Sequence, residues 1–195
     1  MADLSFDAWV RDLETVADAA GLDRFPLLGM SQGGPIAIAY AVRHAERVSH
    51  LILYGTYVRG RLRRGPTPSQ VEEAETLVKI VRLGWGRDNP AYRQVFASLF
   101  LPDASLEQMR AFTELQRVST PAENAARIVQ GFDAIDVSEL AARVAAPILV
   151  LHVADDARIP FEEGRLVASL IPDATFVPLP GRNHVVFPGQ PASSV

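Results

Sequence analysis

Three residue types that together perform acyl transfer occur along this chain in a usable order. They are a serine between glycines, an aspartate pair after an apolar run, and a histidine near the C-terminal end. The serine is Ser31, in Gly29-Met30-Ser31-Gln32-Gly33. A serine hydroxyl is a weak nucleophile. It attacks a carbonyl carbon only when a base takes its proton and an acid holds that base in the right tautomer. Glycine at Gly29 and Gly33 suits a strand-to-helix turn in which side chains two residues either side of the serine collide, and the same turn strains the serine backbone. The hydroxyl then stands clear of the turn. The Gln32 backbone N–H, at the start of the next helix, points where an oxyanion forms. The plainer alternative is a glycine-rich turn that packs closely or grips a phosphate.

The chain has four histidines. His44 falls near a helix C-terminus, where a cation is favoured. His50 starts a strand among polar residues, and His152 ends the apolar run ILVLHV as a buried supporting residue. His184 differs: it lies in GRNHVVF, a loop after the last predicted strand, on the sheet edge that carries Ser31. The acid is expected from another strand end. ILVLHV runs into ADDARIP, which offers Asp155 and Asp156; turn or helix capping is the alternative use of such a pair. No acidic or histidine spacing suggests a metal site. There is no cysteine, which excludes disulfides, thiolate catalysis and cysteine-ligated metals. The expectation is a reaction without metal or cofactor.

These groups need a scaffold. Residues 5–20 read as a helix, with Phe6, Trp9, Val10, Leu13, Val16 and Ala17 at spacings of three and four and Gly21 ending it. Residues 25–28 read as a short strand in which Pro26 removes one donor. Residues 33–44 read as a helix with Pro35 in its first turn, and 48–54 as a second strand. YVRGRLRRGPTP is a turn-rich basic boundary. From 67 to 144 the pattern is helical: Thr67–Gln70, Ser105–Gln108, Thr120–Glu123 and Asp136–Glu139 each read as a capped start. Strands return at 147–153 and 175–179, with a helix at 161–170 between them. Strand–helix alternation predicts a parallel, doubly wound α/β sheet, and the apolar strands LILY and ILVLHV suit burial on both faces.

The whole chain narrows the classes further. Its 195 residues suit one domain, and a net charge of −4 gives no footprint for nucleic acid or an anionic membrane. No apolar run reaches the roughly 18 residues needed to cross a bilayer. The acidic, amphipathic start MADLSFDAWVRDLE is unlike a signal peptide, so a cytoplasmic protein acting on a small molecule is expected. Arg59, Arg61, Arg63 and Arg64 read first as a solvated loop; an alternative is attraction of a carboxylate-bearing substrate.

The elbow, the strand-end acid and the late histidine resemble the α/β-hydrolase superfamily, over about residues 4–188, in the order serine, acid, histidine. The resemblance implies H-x-x-x-D-x-x-x-P around the acid, here His152, Asp156 and Pro160, and so selects Asp156. It implies that His184 is the base. It divides the chain into a first core segment (1–58), a helical cap (59–144) and a second core segment (145–195). A serine at the elbow argues against the dehalogenase branch, while an esterase, a C–C bond hydrolase and a cofactor-free haloperoxidase share the triad. The start LSFDAWVRDLE and the phrase PFEEGRLVASLIPDATFVPLPGRNHVVFP are similar to hydrolase-like domains of bacterial multidomain regulators. That likeness supplies a second expectation, a non-catalytic sensory domain that binds a small molecule. Against the family's usual eight strands, about four are legible and GQPASSV offers no closing helix. The expectation is therefore a member shortened at its N-terminus. It lacks the loop with the second oxyanion donor, its activity is impaired, and its edge strand at 25–28 invites self-association.

Overall fold

A computed structural model describes residues 3–87 and 89–186. The closing segment, in which no further helix is expected, lies outside the described residues.

The core is built from four parallel strands, β1 (Phe25–Met30), β2 (Val48–Tyr54), β3 (Ile148–Val153) and β4 (Thr175–Leu179), in the order β1-β2-β3-β4. β1 runs two residues past its predicted end, because Gly29 and Met30 continue the ladder to Leu53 and Tyr54. Pro26 sits on an edge strand beside an irregularity in register, where a missing N–H costs little. Ser5 caps α1 (Phe6–Ala19) by accepting the Ala8 N–H, and Gly21, at φ 63°, follows its end.

The sheet is parallel, as expected, and among the described residues its helices gather in one layer. The strand order never reverses, and right-handed crossovers then place successive helices on one face. Thus α1, α2 (Gly33–Arg43), α7 (Ser138–Ala141) and α8 (Phe161–Leu170) form one connected layer. It covers Leu27, Leu51, Leu53, Ile148 and Val150. On the opposite face Leu28 is 60% exposed, and Ile52, Leu149 and Leu151 are half-buried. Alternation along a sequence reports that strands are parallel but not the direction in which the next strand is laid.

Between β2 and β3 the chain leaves the sheet as α3 (Pro68–Gly84), α4 (Pro90–Phe100), α5 (Leu106–Ser119) and α6 (Ala122–Ala134). Thr67 with Gln70, and Ser105 with Gln108, form the reciprocal caps expected. At Thr120 they do not. Pro121 is the N-cap of α6, and the Thr120 carbonyl instead accepts the Trp85 indole N–H at 2.9 Å. Asp136 makes a turn with the Ser138 N–H, and Val137 is the N-cap of the single-turn α7. The insert has its own small core of Val78, Val81, Phe96, Ala125 and Ala126. By contrast Ala141 and Val144, at the end of the helical stretch, belong to the main core.

The arginine run is not a solvated loop. Where the chain leaves and re-enters the core, Gly60 N–H donates to Ile135 O (2.7 Å) and Val137 N–H to Val58 O (2.9 Å). Arg61 engages both oxygens of buried Asp133, Arg63 donates to Ala134 O, and Arg59 and Arg64 face Glu163. The run clamps the insert to the core. No helix among the described residues is long and apolar enough to cross a membrane.

Candidate active site

Ser31 stands between β1 and α2 with φ of 52°, the left-handed region that costs a residue bearing a Cβ about 1–3 kcal/mol. Three hydrogen bonds hold it there. Its N–H donates to Tyr54 O (2.9 Å), and its carbonyl accepts from Gly34 N–H (3.0 Å) and from the Thr56 hydroxyl (2.6 Å). The glycines around it divide by role. A Cβ on Gly29 would stand 2.8 Å from both Ala37 Cβ and Gly34 Cα, whereas a Cβ on Gly33 meets open space. The crowded partner is Gly34, whose Cβ would overlap the Thr56 side chain. The collision expected at Gly33 thus falls one residue later, because the helix turns Gly34, not Gly33, toward β2's end. Replacing Gly34 by alanine is expected to destabilise the fold by about 1–3 kcal/mol. Gly33→Ala is expected to stay within about 0.5 kcal/mol. Thermal unfolding of the two variants checks this contrast.

Asp156 and His184 are joined. The His184 Nδ1 lies 2.7 Å from Asp156 Oδ2, and both side chains are fully buried. The other carboxylate oxygen accepts the N–H groups of Arg158 (2.7 Å) and Ile159 (3.0 Å). Burial alone would push the Asp156 carboxyl up. The His184 hydrogen bond and charge, with the Ile159 and Arg158 N–H groups, outweigh it and hold the carboxyl below its ordinary value. Asp155 is exposed and makes no part of this arrangement.

His184 is anchored by its own N–H to Phe100 O (2.9 Å) and by an edge-on contact with the Phe100 ring at 5.6 Å. Gly55, at φ 53°, backs it: a Cβ there would stand 3.2 Å from the imidazole. The remaining nitrogen, Nε2, is buried without a hydrogen-bond partner among the described residues. His184, Ser31 and Gln32 line one cavity of about 540 Å³, walled by aromatic and aliphatic side chains of the insert such as Phe96, Phe112 and Val129. Gln32 is the N-cap of α2, where backbone N–H groups lack intrahelical partners. Ser31, Gln32 and His184 therefore share one cavity, and the buried Asp156 is in direct contact with His184. Thr56, Gly55 and Phe100 carry no motif. For Gly55 and Thr56 the only signal is their place directly after β2, at the sheet edge that holds Ser31.

Two of the other histidines have structural partners. His44 reaches Glu14 at 3.0 Å, and His50 is exposed. His152 is fully buried, with Nε2 3.1 Å from Ile159 O. Burial holds its imidazole below the ordinary value, against the opposing pull of Ile159 O and Asp156. The unfolded imidazole takes a proton as pH falls through about 6.5, which the folded one resists, so stability is complete above that pH and declines below it. Asp156 adds a second loss at lower pH, from about 3.9 down through its depressed folded value. Urea unfolding from pH 8 to pH 4 is expected to show the first decline, and His152→Gln to flatten it.

Comparisons with known proteins bear on the fold. A family model for the alpha/beta hydrolase fold matches residues 2–191. A bovine (lyso)-N-acylphosphatidylethanolamine lipase is 39% identical over 84 residues, covering 43% of this chain and 24% of the lipase. A 2-hydroxy-6-oxononadienedioate/2-hydroxy-6-oxononatrienedioate hydrolase of Paraburkholderia phymatum is 28% identical over 178 residues, 87% of this chain and 59% of that protein. Among solved structures, an esterase of Thermogutta terrifontis superposes with a TM-score of 0.69 at 27% identity, over 92% of this chain and 65% of the esterase. The chain thus spans less than two thirds of the length of each of these relatives.

Proposed function

The chain belongs to the alpha/beta hydrolase family, and from that premise we propose that it is a serine hydrolase of carboxylic esters or related acyl compounds. Ser31 Oγ attacks the carbonyl carbon while His184 Nε2 takes its proton. Asp156 holds the Nδ1–H tautomer and stabilises the imidazolium. The Gln32 N–H donates to the oxyanion. His184 returns the proton to the leaving oxygen, leaving an acyl group on Ser31. Water, activated by the same imidazole, then releases the acid.

The observation that carries this reading is the state of His184. Its Nδ1 is committed to Asp156, while Nε2 is buried without a partner among the described residues, and His184 lines the cavity that Ser31 also lines. A buried polar atom without a partner is costly, and sites of reaction are where such atoms are kept. The helical insert acts in this reading as the cap that shapes the acyl pocket and limits water. Intact-mass analysis after treatment with a fluorophosphonate tests the reading, since the probe needs an activated serine and no knowledge of substrate. One covalent adduct is expected. No adduct on folded protein would overturn it and favour the sensory domain that binds without turnover.

A further inference from the structure

One cation on the wall of this cavity forms no ion pair among the described residues. Arg158 lies two residues after Asp156, and its backbone N–H helps hold that carboxylate. Its side chain is half-buried and lines the cavity that contains Ser31 and His184. The guanidinium rests over the Phe100 ring, 5.6 Å from its centre, and that ring meets His184. The acids nearby are engaged elsewhere: Asp133 with Arg61, and Glu163 with Arg59 and Arg64. Among the described residues, the Arg158 side chain makes no hydrogen bond or ion pair.

Arg158 also lines an adjoining chamber of about 350 Å³, where Arg61 and Arg64 add positive charge and Glu73, Asp133 and Glu163 offset it. Burial pulls the Arg158 guanidinium below its ordinary value, and Arg61 adds repulsion that Asp133 and Tyr57 only partly oppose. Even so it remains protonated at neutral pH. A half-desolvated cation without a counter-ion is costly, and a guanidinium is shaped to hold a carboxylate by two parallel hydrogen bonds.

We propose that Arg158 is a specificity-determining residue that binds a free carboxylate of the substrate. This rests on the hydrolase reading and narrows its substrate class. The substrate would carry an acyl group at Ser31, an apolar stretch against the aromatic wall, and an anionic end at Arg158. Monoesters of dicarboxylic acids have this composition.

Binding and turnover test it separately. Trp85 lines the cavity, so hexanoate and hexanamide can be titrated against tryptophan fluorescence in the wild type, Ser31→Ala, Arg158→Lys and Arg158→Met. The expected result is that the wild type and Ser31→Ala prefer hexanoate by about tenfold or more, about what one charge-assisted pair supplies. Arg158→Met should lose the preference and Arg158→Lys keep part of it. Equal binding of the two probes by the wild type, or a preference that survives in Arg158→Met, would overturn the assignment. In turnover, kcat/KM for mono-4-nitrophenyl glutarate relative to 4-nitrophenyl butanoate should fall in Arg158→Met by about 10- to 100-fold. An unchanged ratio would overturn it, while hydrolysis itself would leave the hydrolase reading standing. Hexanoate preference without fluorophosphonate labelling would do the reverse: the anion site stands and the hydrolase reading falls.

Discussion

Alanine in place of Ser31 is expected to abolish fluorophosphonate labelling and to lower ester turnover by about 10⁴- to 10⁶-fold, with the fold intact. The size follows from what is removed. Without Oγ no acyl-enzyme forms, and only positioning and the oxyanion donor remain to help water attack. The fold should survive because the strained turn is held through the backbone. The Tyr54 carbonyl, the Gly34 N–H and the Thr56 hydroxyl all bond main-chain atoms of residue 31, and alanine keeps every one. Intact-mass analysis and near-ultraviolet circular dichroism on the same sample check both halves. Labelling that persists in Ser31→Ala would place the reactive group elsewhere.

Asparagine in place of Asp156 is expected to lower kcat by about 10⁴-fold. The carboxylate accepts on both oxygens: Oδ1 from two backbone N–H groups and Oδ2 from His184. An amide has one acceptor and one donor group, so it can satisfy one side only. With its oxygen toward Arg158 and Ile159, its NH₂ faces His184 and selects the tautomer that carries hydrogen on Nε2, which cannot take the serine proton. With its oxygen toward His184, the NH₂ opposes two buried N–H donors, at a cost of about 1–3 kcal/mol for each donor left unpaired. The first arrangement lowers activity and the second lowers stability. Nitrogen NMR of the His184 tautomer, together with kcat and the unfolding midpoint, tells them apart. Asp155→Asn is the contrast, since Asp155 is exposed and its carboxyl bonds none of these groups. Its turnover should stay within about twofold, in line with other surface substitutions. If Asp155→Asn shows the large loss instead, the acid has been misassigned.

Much of the scaffold is legible without coordinates because its signals act over a few residues. The caps at Thr67 and Ser105 are set by side chains three positions away. Thr120–Glu123 carries the same pattern and fails, because a partner 35 residues distant, Trp85, takes the Thr120 carbonyl. Strand 48–54 and helix 161–170 fall where expected, since both are short, strongly patterned and bounded by turn residues. The face on which the helices gather is not written locally: among the described residues α1, α2, α7 and α8 form one connected layer, which strand–helix alternation does not foretell.

The site divides the same way. That residue 31 sits in a tight turn between strand and helix is legible in the sequence alone, although glycine at Gly33 is not what the turn requires. The absence of thiol chemistry and the order of serine, acid and histidine are legible there too. Tertiary structure decides which glycine is crowded, because Thr56 arrives from the end of another strand. It brings Asp156 against His184, 28 residues away in the chain, and leaves the neighbouring Asp155 in solvent. It also replaces the solvated-loop reading of the arginine run with a set of ion pairs. Four clustered arginines look available for an anion, yet Asp133 and Glu163 engage three of them in ion pairs, and the Ala134 carbonyl accepts from Arg63. Arg158, which carries no motif, makes no hydrogen bond or ion pair among the described residues and lines the cavity wall. Charge can be counted along a chain, but which charges are neutralised depends on the acids that distant segments bring within reach, and only the folded molecule sets that.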